Sequence, residues 1–312
     1  MTDIVTLTMN PALDVLTFTD KVESTHKIRC STVLKHPGGG GVNVARVLHR
    51  LGAKCVAVFP QGGVTGQRHH QLLSQEKVRC HSVPIAQETR ESFSVHEGRS
   101  GDDFRFVLPG PTLSQQEYEA CFDHVAQHLP QQFLVISGGL APGVPTDFYA
   151  RLATLAKAHG VKVVLDANGP ALALALKQTG VYFFKPSLRE LQDLTQEALP
   201  NDAACKAAAQ RLIQSGKAEV VAVSLGEDGA MLVSATQAWR APSLPVQVQT
   251  TIGAGDSFVA GMVWAMAQTL PLPQAFRYGM AASAAALLSP GTPLCQAADV
   301  QRLLPQVAVH EI

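Results

Sequence analysis

Near its carboxyl end the chain carries Thr250-Thr251-Ile252-Gly253-Ala254-Gly255-Asp256-Ser257-Phe258, which leads into the apolar run Val259–Trp264. Small residues ahead of a helix leave backbone N–H groups open to an anion, and the positive end of the helix dipole favours negative charge there. Gly253 and Gly255 are therefore candidates for an anion hole, and Asp256 for a base that takes a proton from an attacking hydroxyl. Local rules also allow Asp256 to act only as a helix cap.

Working outward from this segment, short β-branched runs alternate with longer runs of helical period. Such alternation is typical of βαβ units, and the near-continuous apolar strands indicate an α/β fold with a mostly parallel sheet covered on both faces. The strands we predict are Ile4–Thr8, Cys55–Phe59, Phe133–Ser137, Lys162–Asp166, Tyr182–Lys185 and Val220–Ser224. The clearest helices we predict are Val42–Leu51, Gln115–His128, Pro145–His159, Ala203–Ser215 and Ser257–Thr269.

Two regions, about 12–36 and 86–108, break this rhythm because they alternate polar and apolar residues without an intervening helix. We expect their strands to pair into one small sheet that forms a lid or a dimer surface. No repeat, low-complexity tract or linker is visible, so we expect residues 1–312 to form a single domain that carries this lid.

The composition excludes several function classes. The 312 residues contain 25 Lys and Arg against 25 Asp and Glu, so the chain offers no general attraction for nucleic acid or anionic membranes. The amino terminus lacks the features of a secretory signal, and no apolar run reaches the ~18 residues of a membrane helix. Six cysteines without a C-x-x-C pair argue against a zinc site or disulfide framework. These features predict a soluble cytoplasmic protein with reduced thiols.

A second glycine-rich segment, Gly38-Gly39-Gly40-Gly41-Val42-Asn43-Val44-Ala45-Arg46, lies in the first part of the chain. It is not a dinucleotide fingerprint, because no acidic residue occurs between Asn43 and Gln75 where a ribose-binding one is expected. The chain also lacks a Walker A loop. The glycines instead favour close approach of the backbone to a polar ligand, with hydrogen bonds from Asn43. A plain loop with Asn43 at the helix start is the alternative.

Other candidate residues follow predicted strands or lie on the predicted lid. Asp14 suits hydrogen bonding to sugar hydroxyls, although an isolated Asp in that place is often a turn residue. Cations on a lid bind an anionic group of a substrate, although single surface cations often serve only solubility. Glu190 suits a water-mediated contact to Mg²⁺ or ordinary helix-dipole chemistry. The candidate lid cations are Lys27, Arg29 and Arg90.

In this order, the two glycine-rich segments resemble the PfkB (ribokinase-like) family of carbohydrate kinases over essentially the whole chain. Further segments are similar to the 6-phosphofructokinase branch of that family, among them Lys27–Cys30, Phe59–Gly66 and Arg105–Gly110. The resemblance implies a three-layer α/β/α fold with a small β-sheet lid. It also implies transfer of the γ-phosphoryl group of MgATP to the 1-hydroxyl of fructose 6-phosphate.

The resemblance assigns a role to each candidate. Asp256 would be the base, and the amides of Gly253, Ala254 and Gly255 would stabilise the transferred group. The residues at the sugar phosphate would be Asp14, Lys27, Arg29, Gly38, Gly39, Asn43, Arg90 and Gly139, with Arg29 reaching in from a partner subunit of a homodimer formed through the lid. The residues at ATP would be Lys185, Ser187, Ser224, Gly226, Gly229 and Thr251. Glu190 would act on Mg²⁺ through water, and K⁺ would lie near Thr250, Ile252, Ala286, Ser289 and Gly291.

Several positions depart from the family pattern or leave alternatives open. Many members carry Asn where this chain has Ser187, Asp where it has Thr250, and Ser where it has Gly139. Asn10-Pro11 is similar to the branch that acts on fructose 1-phosphate or tagatose 6-phosphate, so those activities are the alternative within the family. A noncatalytic sugar-phosphate sensor is the alternative of another class, which the presence of Asp256 argues against. Inhibition by a second MgATP is a further hypothesis.

Overall fold

The computed structural model of the chain describes residues 3–288 and 294–312. Its strands are β1 (Ile4–Leu7), β2 (Ala12–Thr19), β3 (Val33–Gly38), β4 (Cys55–Gln61), β5 (Cys80–Pro84), β6 (Arg90–Glu97), β7 (Asp103–Val107), β8 (Phe133–Ser137), β9 (Lys162–Asp166), β10 (Val181–Phe184), β11 (Ala218–Ser224), β12 (Ala230–Val233), β13 (Ala238–Ala241) and β14 (His310–Glu311). Its helices are α1 (Gly40–Arg50), α2 (Gly63–Gln75), α3 (Gln115–Gln127), α4 (Phe148–Ala158), α5 (Gly169–Gln178), α6 (Leu188–Thr195), α7 (Asp202–Gln214), α8 (Ala254–Ala267), α9 (Leu272–Ala286) and α10 (Ala297–Leu303).

The larger sheet has the strand order β14-β13-β12-β11-β10-β9-β8-β1-β4-β5. Strands β5 through β11 in that order are parallel, and β12, β13 and β14 add to one edge in antiparallel pairing. The six strands predicted from the sequence occupy six neighbouring positions, from β4 to β11. This arrangement confirms the mostly parallel α/β sheet.

Helices cover both faces of this sheet, because successive strand residues point to opposite sides. In β1, Ile4 enters one buried cluster and Val5 the other, and Phe183 and Phe184 in β10 divide in the same way. Burying an apolar side chain of this size contributes roughly 1.5–3 kcal/mol. One cluster includes residues of α1, α8, α9 and α10, and the other includes residues of α3, α4, α5, α6 and α7. The chain therefore forms the expected three layers.

The helix that follows the Gly253-Ala254-Gly255 loop packs tightly against its neighbour. A Cβ on Gly261 of α8 would lie 2.5 Å from the Tyr278 carbonyl oxygen of α9, and a Cβ on Gly279 would lie 2.9 Å from Met262 Cγ. Larger residues at these two glycines would force the helices apart. This close packing fixes α8, and with it the start of the helix, against the body of the protein.

The smaller sheet has the order β3-β2-β6-β7 and is built from the two regions that interrupt the βαβ rhythm. Each region contributes an antiparallel pair of strands, and the two pairs join through the parallel pairing of β2 with β6. In this register Asp14 lies beside Ser92, and Ser94 lies beside Arg105. Residues distant in the sequence are thereby brought onto one face of the sheet.

Two further observations concern the chain as a whole. Across residues 3–288 and 294–312, no helix has both the length and the apolar character needed to cross a bilayer. All six cysteines are free thiols.

Candidate active site

The candidate base lies at the start of α8, at the edge of the large sheet where β1, β9 and β10 end. Gly253 precedes the helix with a φ of 78°, a left-handed conformation that glycine adopts without a steric penalty. Asp256 is the third residue of α8, and no side chain caps this helix end. The capping interpretation of Asp256 is therefore wrong, and its carboxylate is available for other contacts.

The Asp256 carboxylate receives a hydrogen bond from a residue of the other glycine-rich segment. Asn43 Nδ2 donates to Asp256 Oδ2 at 2.9 Å. Burial raises the pKa of Asp256 to about 7, the nearby Asp166 carboxylate adds to the rise, and the hydrogen bond from Asn43 opposes it. A carboxyl group with a pKa near 7 exchanges protons readily at neutral pH, which is the requirement for a general base.

The four-glycine run allows the backbone to approach this site. A Cβ on Gly38 would lie 2.2–2.7 Å from the carboxyl atoms of Asp14, so any side chain there would displace that carboxylate. Gly39 precedes α1 with a φ of 114°, and a Cβ on it would lie 2.7 Å from Thr8 Cγ2. Gly38 and Gly39 thus let the end of β3 pass directly beside Asp14 and Asn43.

Asp14 itself is half-buried on β2, facing cations. Burial raises the pKa of Asp14 to about 6, and the positive charges of Arg105, Arg46 and Arg90 partly oppose this rise. An acidic group surrounded by arginines suits a ligand that carries both hydroxyl groups and negative charge, since each polar part finds a complementary partner.

A cavity of about 240 Å³ lies between the small sheet and the start of α8. Six residues predicted for the sugar phosphate, the base or the phosphoryl group line it together: Asp14, Gly39, Asn43, Arg90, Gly253 and Asp256. Ile252 also lies in its wall, with Ala12, Gly40, Ser92, Arg105 and Val107. The structure therefore brings together residues from β2, α1, β6 and α8 that the sequence keeps far apart.

Two arginines give this cavity its positive charge. Arg90 donates from Nη1 to the Leu108 carbonyl and from Nη2 to the Asn10 carbonyl, each at 3.2 Å. Its Nε is buried without a hydrogen-bond partner among the described residues, which leaves a donor for an anionic ligand. Sequence reasoning missed Arg105 as a site residue. The available signal was its place in the alternating run Phe104-Arg105-Phe106, which puts it on the face opposite both phenylalanines.

Two other predicted cations lie elsewhere. Lys27 and Arg29 are exposed on the segment between β2 and β3, where they line a separate surface cleft with His26 and Arg99. The structure of one chain does not bring them beside Arg90. Gly139, on the loop after β8, is also outside the residues that line the cavity; a Cβ there would approach Asn168 Oδ1 at 3.5 Å.

A larger cleft of about 590 Å³ lies on the other side of the α8 start. Of the residues predicted for ATP or the transferred group, Lys185, Ser224, Gly226, Gly229, Thr251, Ala254 and Gly255 line it. Most of the remaining wall is apolar, with Leu244, Val246, Phe258, Met280 and Leu287. A large apolar cleft with a few polar groups at one end fits a molecule that has a flat apolar part and a charged part.

The glycine turn after β11 shapes one wall of this cleft. Gly226–Asp228 form a 3₁₀ turn, and Leu225 N donates to the Gly229 carbonyl at 2.8 Å. Gly229 has a φ of 100°, and a Cβ on it would lie 2.2 Å from the Ala241 carbonyl oxygen. No other residue fits this position without moving β13 away from the turn.

Lys185 points its ammonium group toward the α8 start. A Cβ on Gly255 would lie 3.6 Å from Lys185 Nζ, and Nζ forms an ion pair with Asp166 Oδ1 at 3.2 Å. Burial alone would lower the pKa of Lys185, but the carboxylates of Asp166 and Glu190 raise it overall, so the lysine is charged at neutral pH. Asp166 was not singled out as a site residue; its signal was its place as the charged last residue of the buried strand β9.

A match to a protein-family model covers residues 6–298, and the model is described as pfkB family carbohydrate kinase. The chain belongs to the pfkB family of carbohydrate kinases. Residues 6–298 include both glycine-rich segments and both cavities, so the family assignment applies to the whole site.

Relatives within the family carry phosphofructokinase names. ATP-dependent 6-phosphofructokinase isozyme 2 of Mycobacterium tuberculosis is 42% identical over 306 residues, covering 98% of this chain and 90% of that protein. The 1-phosphofructokinase of Bacillus subtilis is 30% identical over 309 residues, covering 99% and 100%. The crystal structure of phosphofructokinase-2 from Escherichia coli in complex with potassium matches with a TM-score of 0.93 and 38% identity, covering 98% and 99%.

Two further pfkB-family predictions meet a competing structural role. Ser187 caps α6, and its hydroxyl accepts a hydrogen bond from Glu190 N at 3.2 Å. Glu190 Oε2 accepts hydrogen bonds from Ser187 N and Ser187 Oγ at 2.7 and 2.9 Å. Neither residue lines the large cleft. Glu190 therefore has a role at the helix terminus, as the sequence allowed, and its Oε2 atom makes these hydrogen bonds.

The predicted potassium loop lies between the start of α8 and the end of α9. Thr250 is buried, and its Oγ1 accepts a hydrogen bond from Ile252 N at 3.2 Å. Gln249 N donates to the Leu287 carbonyl at 2.7 Å, which places this loop against the carboxyl end of α9 at Ala286. Ser289 and Gly291, the other two predicted residues, lie outside the described residues.

Proposed function

We propose that this protein is an ATP-dependent 6-phosphofructokinase that transfers the γ-phosphoryl group of ATP to the 1-hydroxyl of fructose 6-phosphate. The observation that carries the proposal is the shared wall between the two cavities. Gly253 and Asp256 face the small polar cavity, while Ala254 and Gly255 face the large apolar cleft. A phosphoryl donor bound in the large cleft and a phosphoryl acceptor bound in the small cavity would meet at the start of α8.

At this meeting point the chain supplies a base and an amide cradle. Asp256 would take the proton from the 1-hydroxyl as that oxygen attacks phosphorus, since its pKa of about 7 leaves a substantial ionised fraction at neutral pH. The N–H groups of Gly253, Ala254 and Gly255 have no helical partners and point out of the helix start. They would bind the oxygens of the transferred phosphoryl group, where negative charge must be stabilised.

The small cavity suits a phosphorylated ketose. Arg90, with its unpartnered buried Nε, and Arg105 would bind the 6-phosphate. Asp14 and Asn43 supply oxygen and amide groups for the sugar hydroxyls. This division leaves the end of the sugar farthest from the arginines to face Asp256.

The large cleft suits ATP. Its apolar side chains would pack against the base, and Lys185 would neutralise charge on the phosphates beside Gly255. Burial raises the pKa of Asp166, and the Glu190 carboxylate lies close enough to add to this rise. The hard oxygen atoms of these two carboxylates fit Mg²⁺ held partly through water. Bound there, Mg²⁺ would neutralise phosphate charge and orient the phosphate chain.

The loop at Thr250 fits a monovalent cation. The atoms that it offers to a cation are oxygens, and the last carbonyls of α9 lie at the negative end of a helix dipole. Thr250 and the backbone carbonyls of Ile252 and Ala286 would hold K⁺, whose charge would order the loop that leads into Gly253. The E. coli phosphofructokinase-2 structure in complex with potassium supports K⁺ as the cation.

The small sheet supports a homodimer. Its face opposite the cavity exposes Val33, Phe93 and Phe106, with Phe106 52% accessible and the two phenylalanine rings 6.3 Å apart. An apolar sheet face of this kind is suited to pairing with a second copy. Pairing would also allow the partner subunit's Arg29 to reach a neighbouring cavity.

We place this ATP-dependent activity in the cytoplasm.

The alternative within the family is a kinase for fructose 1-phosphate or tagatose 6-phosphate. It is favoured by Asn10-Pro11 and by the 30% identity to the 1-phosphofructokinase of B. subtilis. The higher identity to a 6-phosphofructokinase favours the main proposal.

The deciding experiment is a coupled ADP-release assay with the three sugar phosphates, each with and without K⁺. We expect fructose 6-phosphate to give the highest kcat/KM and K⁺ to raise it. A higher kcat/KM with either of the other sugars would replace the proposed substrate. Binding of all three sugars without ADP release would instead identify a sensor.

A further inference from the structure

Arg46 is a fully buried arginine behind the active site, and the transfer mechanism described above does not use it. It lies on α1, one turn after Asn43, and its side chain is 0% exposed. A buried guanidinium is costly unless its donors are satisfied. Its hydrogen bonds therefore indicate what keeps it there.

These hydrogen bonds run in two directions. Toward the surface, Arg46 Nε and Nη2 donate to the carboxylate of Glu76 at the end of α2, at 2.7–3.1 Å. Toward the active site, Arg46 Nη1 donates to Asn43 Oδ1 at 3.3 Å and to the Pro37 carbonyl at 3.0 Å. The planar guanidinium is thus fixed on one side by a carboxylate and presents a donor to the amide of Asn43 on the other.

This contact decides how the Asn43 amide is turned. A guanidinium has only N–H donors, so the atom of Asn43 that faces it must be the carbonyl oxygen. The amide NH₂ group must then point the opposite way, where it donates to Asp256 Oδ2. In the reversed orientation the NH₂ group of Asn43 would face the N–H donors of Arg46, and the carbonyl oxygen of Asn43 would face the carboxylate of Asp256. Neither pair could form a hydrogen bond.

We propose that Arg46 is a positioning residue for phosphoryl transfer, which holds the amide of Asn43 so that it donates a hydrogen bond to the base Asp256. The chain of contacts runs from Glu76 through Arg46 and Asn43 to Asp256. It joins the end of α2 to the reacting centre, and through the Pro37 carbonyl it also ties the end of β3 to α1.

The hydrogen bond from Asn43 matters because other neighbours act against ionisation of Asp256. Burial raises the pKa of Asp256 most, the carboxylates of Asp166 and Asp14 add to the rise, and Asn43 and Lys185 lower it. Hydrogen bonding to a charged form favours that form. Loss of the donor therefore raises the pKa of Asp256 further and reduces the ionised base at neutral pH. The charged or titratable groups that interact with Arg46 itself are Glu76, Arg50, Asp14, His36 and His69.

Arg46→Lys tests this inference, which rests on the proposed function. Lysine keeps the charge and can pair with Glu76, but it lacks the planar fork that reaches Asn43 and Pro37 at the same time. We expect kcat to fall about tenfold, the loss expected when one hydrogen bond to a charged group is weakened. We also expect the acid limb of the kcat–pH profile to move to higher pH. The KM for ATP should be unchanged.

Arg50→Lys is the matched control. Arg50 lies one turn further along α1. It donates from Nη2 to Glu76 Oε2 at 2.8 Å and from Nη1 to the Cys295 carbonyl at 3.2 Å, and neither hydrogen bond involves Asn43. The same substitution there weakens the same carboxylate contact without touching the amide. We expect its acid limb to coincide with that of the unmodified protein.

A double-mutant cycle separates positioning from general stability. In an Asn43→Ala background, Arg46→Lys should cause no further loss of kcat, because there is no amide left to orient. Equal losses in both backgrounds, or a lower kcat with an unmoved acid limb, would overturn the proposal.

If Arg46→Lys does not fold, Glu76→Gln replaces it, since the Glu76 side chain is 26% exposed and the Gln carbonyl oxygen still accepts a hydrogen bond from Arg46. It should shift the acid limb in the same direction by a smaller amount, and an unmoved limb would again overturn the proposal. Every comparison uses the ratio of variant to unmodified protein on whichever sugar phosphate is turned over. An inactive unmodified protein would refute the proposed function and is therefore a separate result.

Discussion

The two cavities that meet at α8 are built from different kinds of groups. The small cavity presents charged side chains, namely Asp14, Arg90, Arg105 and Asp256. The large cleft presents apolar side chains and glycine backbone, and its charged side chains are those of Lys185 and Glu227. A charged contact is lost completely when one side chain is removed, whereas apolar packing is lost in small increments. Single substitutions should therefore affect the sugar side more strongly than the nucleotide side.

The largest effect is expected where the two cavities join. Asp256→Asn retains the size of the side chain but removes the proton acceptor, so turnover should fall by about 10²–10⁴-fold. Binding of fructose 6-phosphate, measured by calorimetry, should survive. Turnover close to that of the unmodified protein would exclude Asp256 as the base.

The next effect tests the charged side of the comparison. Arg90→Ala removes a guanidinium from the small cavity and should raise the KM for the sugar phosphate by about 10–100-fold, as expected for a charge-assisted contact. The KM for ATP should stay nearly constant. A change confined to ATP would show that Arg90 serves the other cavity.

A smaller effect is expected on the apolar side. Val246→Ala removes two methyl groups from the wall of the large cleft, and should raise the KM for ATP by about 2–10-fold. Initial-rate kinetics with saturating sugar phosphate would measure it. A loss as large as that of Arg90→Ala would remove the proposed contrast between the cavities.

The smallest expected effect is on the pH dependence of thermal stability. The pKa of Asp256 is raised by burial from its ordinary value of 3.8 to about 7 in the folded protein, so the folded state binds more protons between these values and loses stability as pH rises through that range. Asp256→Asn removes this penalty. We expect its Tm to exceed that of the unmodified protein by a few degrees at pH 8 and by less at pH 5. Equal differences at both pH values would contradict the raised pKa.

The sequence predicted the central sheet well because buried strands carry a local signal. Phe133–Ser137 and Lys162–Asp166 are strands with the predicted bounds. The edge strands β12, β13 and β14 were not among the predictions; they are two to four residues long and depend on their neighbours for pairing. Helix α9 was also not singled out from the sequence.

The glycine-rich segments of the site were predicted for the same reason: their chemistry is local. Arg105 and Arg46 were not, because their importance comes from contacts with residues far along the chain. Arg105 faces Asp14 only after β7 pairs with β6 and β6 with β2, and Glu76, which fixes the guanidinium of Arg46, lies 30 residues further along the chain. No spacing within one segment indicates these contacts. Lys27 and Arg29 were predicted to bind the sugar phosphate, and the sequence did not indicate that in one chain they line a cleft apart from Arg90.

The parallel pairing of β2 with β6 has a consequence for how the protein is made. Asp14 and Ser92 are neighbours in that pairing, yet a ribosome synthesises Asp14 long before Ser92. The proposed pocket for the sugar therefore cannot exist on a nascent chain that stops before β6, although the residues of α1 and β4 have already been synthesised. Translation must pass the second strand pair before the enzyme can recognise its acceptor.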